Sequence, residues 1–342
     1  MASEGGLADI LENAARERRA VAKLTDGYPL DLAGAYRVQR LGIDRRVARG
    51  ERVVGVKMGF TSKAKMAQMG VDDVIWGILA DAMAVPGSSG TAQAADPGAP
   101  GAAQSGLYDL SGLIHPKVEP EIVFRLGRAV DRPDDAESAV DAVAVGYEIL
   151  DSRFEGYKFT LPDVVADNAS AAGFGVGPWH PVTRGTDISD VPVTLSVGGE
   201  PARTGSSAAI LGDPWESLRS AARLATEAGL TLEAGWIVLA GGITEAVPLT
   251  PGVVVKVTGG TLGTAGLRCA PAALSPAARG AAKRPSASAG RPPSAGGAAP
   301  AAAPGTPGRI RRGTRTAGFP DSTSAMASGG RRHPDHALRA AR

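Results

Sequence analysis

One cysteine in 342 residues excludes a disulfide framework and any thiolate-built zinc or iron–sulfur centre. Cys269 has no histidine near it in the sequence and reads as a small apolar residue rather than a nucleophile. Histidine is scarce too. Of the four, only His115 and His180 precede the C-terminal tail, and neither sits in an HxH or HExxH spacing, so both read as structural. No stretch approaches the roughly 18 uninterrupted apolar residues that cross a bilayer. The opening MASEGGLADILENAARERR has acids where a signal peptide needs an apolar run, so a cytoplasmic protein without membrane attachment is expected. No GxGxxG leads from a strand into a helix, which leaves dinucleotide binding without support.

Charge is unevenly spread. Residues 1–270 hold 25 basic and 33 acidic side chains, net about −8, whereas residues 271–342 hold 12 and two, net +10. An acidic body lacks the basic face that neutralises phosphates, so no nucleic acid is expected as a partner of the core. The tail, 271–342, is rich in Ala, Pro, Gly, Ser and Arg with Phe319 its one aromatic residue, and reads as disordered. It reads as a dispensable extension, a binder of polyanions, or, given the abrupt change of composition after Cys269, the product of a shifted reading frame in a GC-rich gene. A second stretch of similar composition, 86–106, reads as a flexible surface insertion.

What remains divides in two. Residues 1–50 read as a helical N-terminal lobe, with helical spacing over Ala8–Lys23 and Asp31 as N-cap of Leu32–Arg49. Residues 51–270 read as a β domain of short apolar runs: Val53–Met58, Val118–Leu126, Val143–Leu150, Gly173–Val176, Val193–Val197, Trp236–Leu239 and Val253–Val257. One helix interrupts them, capped by Asp213 with Pro214 at its first position and running to Ala228. Strands without regularly alternating helices argue against a doubly wound sheet. An α+β protein with a mixed β-sheet core is expected.

The segment HPKVEPEIVF places Glu119 and Glu121 two apart, on one face of a strand whose other face carries Val118 and Ile122. Paired carboxylates repel unless a cation lies between them; a solvated polar stripe is the alternative. Glu148 sits inside the apolar run AVGYEIL, where a buried carboxylate needs a cation, a basic partner or a proton. Three acids from two strands would make an oxygen-only site suited to Mg²⁺ or Mn²⁺. Lys57 interrupts the run VVGVKMG, either snorkelling at a strand end or desolvated for proton transfer, with Asp81 a candidate partner. The segment from Asp151 to Ser170 reads as a pocket-lining loop. Within it, Arg153 could hold a substrate carboxylate or pair with Asp151. The turn Ala240–Thr244 is a plain strand-end turn or one whose amides meet a carboxylate.

Taken in order, VGVKMGFTSKAKMAQMGVDDVIWGIL, HPKVEPEIVF, YEILDSRFEGYKFTLPDVVADNASA, SSAAILGDPWESL and GWIVLAGGITEAVPLTPG span about residues 52–268. Together they resemble the 2-hydroxypentadienoate hydratase and 4-oxalocrotonate (2-oxo-3-hexenedioate) decarboxylase family of the fumarylacetoacetase-like superfamily. The resemblance implies a β-roll like the fumarylacetoacetase C-terminal domain. It implies Mg²⁺ or Mn²⁺ held by Glu119, Glu121 and Glu148, and Lys57 with Asp81 as the proton-handling pair. It also implies substrate contacts from Arg153, Lys158, Asn168, Ser170 and Thr244. The expected reaction is metal-dependent decarboxylation of 2-oxo-3-hexenedioate in meta-cleavage aromatic catabolism, and the KFTLPD segment favours it over hydration of 2-hydroxypentadienoate (2-keto-4-pentenoate). A non-catalytic binding protein is a more distant reading. A homo-oligomer and a complex with a partner hydratase are further expectations of the resemblance.

Overall fold

The computed structural model describes residues 3–88 and 107–272, and within them each predicted apolar run forms a strand. The strands are β1 Val53–Gly59, β2 Ile75–Ala80, β3 Leu107–Tyr108, β4 Lys117–Leu126, β5 Val140–Leu150, β6 Ala171–Val176, β7 His180–Pro181, β8 Pro192–Val197, β9 Glu200–Ser206, β10 Ile237–Gly242, β11 Val247–Pro248, β12 Val254–Gly259 and β13 Thr264–Cys269. The helices are α1 Glu4–Glu17, α2 Leu32–Ala48, α3 Lys63–Met69, α4 Ala136–Ala139, α5 Leu161–Ala166 and α6 Pro214–Glu227. Among the described residues no helix is long and apolar enough to cross a membrane. The part of the expected insertion from 89 to 106, and the tail from 273, lie outside the described residues.

Two sheets form. The first runs β2-β1-β10-β4-β5-β6, with β11 beside β4 and β7 beside β5; the second runs β3-β13-β12-β8-β9. β1 pairs with β10 in parallel while β10 and β4 are antiparallel, so the sheet is mixed, as expected. The sheets pack through alternating apolar positions, including Ile122, Val145, Tyr147, Val257 and Leu267. The Tyr147 hydroxyl donates to the Gly266 carbonyl at 3.0 Å across the interface. β4 therefore buries Val118 and Ile122 in this core and turns Glu119 and Glu121 to the other face.

Both predicted caps form: Asp31 accepts from Gly34 N at 2.7 Å, and Asp213 accepts from Trp215 N at 3.0 Å. The first helix differs from expectation. Its cap is Ser3, and it ends at Glu17, where Arg18 adopts φ 53, so Ala20–Lys23 are extended chain rather than helix. The N-terminal helices are no free-standing lobe: Leu7, Leu11 and Val38 share a core with Ile75, Phe154, Val164 and Val165. The amide of Gln39 donates to the carbonyls of Trp76 and Val165, fixing α2 against β2 and α5. Helix α5 itself was concealed in what reads as a loop. Thr160 and Asp163 form a capping box at its start, with Pro162 in its first turn.

Candidate metal centre and active site

Register decides where the acids go. Antiparallel pairing of β4 and β5 sets Glu119 directly opposite Glu148, and Glu121 opposite Gly146. One carboxylate oxygen from each of Glu119, Glu121 and Glu148 lies within 4.8 Å of the others. The polar-stripe alternative fails, because Glu121 and Glu148 are 0% exposed and Glu119 4%. Glycines make the approach feasible. A Cβ on Gly242 would lie 2.5 Å from the Glu119 carboxylate, and one on Gly241 would strike the Thr61 hydroxyl. Gly241 has φ +115, a conformation that favours glycine, and its N–H donates to Glu121 Oε2 at 2.7 Å. So the turn's amide does meet a carboxylate, one supplied by the protein itself.

Around this floor lies a cavity of about 700 Å³, lined by five lysines (Lys23, Lys57, Lys65, Lys117 and Lys158) with Glu119 and Glu245. Lys57 is buried at 3% exposure, so it is desolvated rather than snorkelling. Its Nζ is 3.0 Å from Glu148 Oε2 and donates to the Ala169 carbonyl at 3.0 Å. Lys65, on the short helix α3, reaches Glu119 Oε2 at 3.4 Å. Lys117 stands 3.8 Å above the Tyr157 ring, whose hydroxyl donates to the Leu150 and His115 carbonyls.

Several sequence expectations need correction. Lys57 does not pair with Asp81. The β1–β2 register sets Val53 opposite Ala80 and Lys57 opposite Gly77, so Asp81 lies roughly 13 Å or more along the strand from Lys57. There Asp81 is 30% exposed and bound to Arg52 through side chain and backbone. Arg153 is likewise spent within the protein: its guanidinium pairs with the buried Asp167 carboxylate and donates to the Asp151 carbonyl at 2.6 Å. Asn168 donates to and accepts from the backbone of Ile78, clamping β2. Thr244 donates to the Glu245 carbonyl, and its methyl would meet a Cβ placed on Gly205. Lys158 and Ser170 do line the cavity. Asp151 serves the site indirectly, accepting from the Ile114 and His115 amides just before β4.

Residues 56–269 match the fumarylacetoacetate (FAA) hydrolase C-terminal family. The chain belongs to that family. A 4-oxalocrotonate decarboxylase of Pseudomonas sp. is 44% identical over 253 residues, which is 73% of this chain and 91% of that relative. A 2-keto-4-pentenoate hydratase of Paraburkholderia xenovorans (strain LB400) is 37% identical over 250 residues, 72% of this chain and 87% of the relative. Among solved structures, 4-oxalocrotonate decarboxylase from Pseudomonas putida G7, complexed with magnesium and adipate, matches with a TM-score of 0.69. The two share 37% sequence identity over 78% of this chain and 97% of that one.

The acidic cluster fits a hard divalent cation. Its donors are all oxygens, and Glu121 Oε1 and Glu148 Oε1 are buried with no hydrogen-bond partner. Burial, reinforced by the charges of Glu148 and Glu119, pushes the Glu121 carboxyl well above the usual carboxylate range. Burial also pushes Glu148 up to about 7, against the opposing pull of Lys57. A metal would replace the protons that this site otherwise retains.

The folded protein holds the Glu148 proton more tightly than the unfolded chain, whose glutamates titrate near 4.5, so metal-free stability falls as pH rises from there towards 7. The loss for this group is about 3 kcal/mol, complete above pH 7, where a cation offsets it. Mg²⁺ should therefore raise Tm more at pH 8 than at pH 5.5, relative to EDTA; equal shifts would refute the linkage. Asp167, pushed up to about 6 by burial, adds a slope in the same direction that metal leaves unchanged. Separately, Gly242→Ala should displace the Glu119 carboxylate and weaken Mg²⁺ binding by about 10- to 100-fold in calorimetry. Unaltered affinity would show that Glu119 holds no metal.

Proposed function

We propose that this protein is a Mg²⁺-dependent lyase that decarboxylates 2-oxo-3-hexenedioate (4-oxalocrotonate) or a close 2-oxo diacid. The observation that carries this reading is the cavity itself: it is lined by five lysines and by Glu119, one of the three clustered carboxylates. A cation at the acidic cluster would serve the 2-oxo acid end common to both substrates, and only a diacid has a second carboxylate for a lysine to hold. Family relatives named as 4-oxalocrotonate decarboxylases support it.

Glu119, Glu121 and Glu148 would hold Mg²⁺ or Mn²⁺. Such an ion, when bound, supplies Lewis-acid stabilisation of negative charge on a 2-oxo acid. In the substrate the departing carboxylate is vinylogously conjugated to the C2 ketone. Breaking the C5–C6 bond releases CO₂ and moves the bonding electrons through the C3–C4 double bond to the C2 oxygen. Lys57, its Nζ held between Glu148 and the Ala169 carbonyl, is the proton donor for that oxygen, giving the dienol. Glu148 fixes the ammonium in place, the part that sequence assigned to Asp81. Lys158 orients the substrate, and Ser170 lines the same cavity. No organic cofactor is required, because the conjugated ketone is the electron sink.

We also infer a cytoplasmic homo-oligomer that passes its dienol to a partner hydratase; co-purification of the two proteins tests the last point. The decisive assay follows CO₂ release from 2-oxo-3-hexenedioate with and without Mg²⁺. Metal-dependent release is expected. Hydration of 2-hydroxypentadienoate without CO₂ release would assign the chain to the hydratase activity instead.

A further inference from the structure

One wall of the cavity comes from outside the part of the chain that matches the FAA hydrolase family, residues 56–269. That wall is Lys23, in the extended chain after α1. Its backbone is pinned on both sides. Two residues earlier, Val21 N donates to the Arg153 carbonyl at 2.9 Å and Glu155 N donates to the Val21 carbonyl at 3.0 Å. Two residues later, the Thr25 amide and hydroxyl donate to Asp163 at 3.0 and 2.8 Å. Leu24, between the anchors, is buried in the helical core at 2% exposure.

Both anchors grip the 153–163 segment, which also carries Lys158. Asp163 is itself 0% exposed and caps α5 through Thr160, so a single carboxylate ties the N-terminal chain to the segment that carries Lys158. Two lysines on separate stretches are thus held in the lining of one cavity, which Glu119 of the acidic cluster also lines. The only ion-pair partner of Lys23 among the described residues is Asp26, at 3.0 Å and 58% exposed. An exposed pair of this kind is easily exchanged for a ligand carboxylate.

We propose that Lys23 is a specificity residue: it binds the distal carboxylate of a diacid and so lets the N-terminal segment choose diacid over monoacid. This rests on the proposed decarboxylase reading, in which that carboxylate is the one lost as CO₂. A cation there stabilises the carboxylate more than neutral CO₂, so Lys23 serves binding rather than the chemical step.

The test is calorimetric, on the full chain with saturating Mg²⁺, using adipate and its one-carboxylate counterpart hexanoate as probes. Lys23→Gln should weaken adipate about tenfold and leave hexanoate within twofold, whereas Lys23→Arg should keep the wild-type preference. With 2-oxo-3-hexenedioate, Lys23→Gln should raise KM without lowering kcat. Asp26→Asn, which leaves the lysine in place and removes its neighbour, should tighten adipate. Adipate binding unchanged in Lys23→Gln, or both probes weakened equally, would overturn the assignment. If the wild type released no CO₂ while Lys23→Gln still lost adipate selectively, the decarboxylase reading would fall and the diacid role of Lys23 would stand.

Discussion

Glu121→Ala should lower kcat/KM by on the order of 10³-fold, and it should do so without lowering the melting temperature of the metal-free protein. The first half follows if Glu121 holds the cation: losing metal stabilisation of a developing oxyanion removes several kcal/mol from the transition state, about 4 kcal/mol for that factor. The second half separates this residue from ordinary core positions. Glu121 is fully buried beside two other acids, and the hydrogen bond it accepts from Gly241 N leaves Oε1 unpartnered among the described residues. Without a cation it destabilises the fold, as its raised proton affinity records. Alanine removes that penalty, although it leaves a small cavity. Such opposition between stability and function marks a site built for a ligand. Differential scanning fluorimetry in EDTA, beside the CO₂ assay, reads both halves. A variant that retained activity would remove Glu121 from the metal set, and a collapse of Tm would show its role to be structural.

The acidic trio was legible because strand parity is local information. Glu119 and Glu121 must share a face of β4, and Glu148 had to be buried if its apolar neighbours were. What sequence cannot supply is which residue lies opposite on another strand. Asp81 is close to Lys57 in the amino-acid order, yet the β1–β2 register carries it to Arg52, while Glu148, 91 positions away, becomes the partner. The N-terminal helices followed from spacing and caps, but their role did not. Lys23 reaches the cavity only because Val21 and Thr25 are tied to residues about 130 positions downstream, and nothing around Lys23 announces this. Helix α5 was a different kind of miss. The Thr160-Leu-Pro-Asp163 pattern is a capping signal in plain view, hidden by reading the polar residues around it as a loop. Lys65 had a local cue as well, since Ser62 caps the turn that lifts it over Glu119.

Lys57→Met should fail in the opposite way to Glu121→Ala: activity falls by about 10²- to 10⁴-fold, the scale of a lost proton donor, and the metal-free fold weakens as well. Lys57 is 3% exposed and its Nζ is the cation nearest to Glu148, so removing it strands a carboxylate in the core. Breaking a buried pair on one side costs about 3–5 kcal/mol, whatever the intact pair contributes. The deficit should be largest above pH 7, where Glu148 would be charged, and should shrink on acidification as that carboxyl takes a proton. It should also shrink on adding Glu148→Gln, because the double variant has no stranded charge; a double-mutant cycle measures that coupling directly. Activity should stay low in the double variant, since neither the proton donor nor the metal ligand returns. Additive stability losses would mean that Lys57 supports the fold through the Ala169 carbonyl alone. Recovered stability without recovered turnover would assign the pair two separable tasks: Glu148 neutralises and orients the ammonium, and the ammonium delivers the proton.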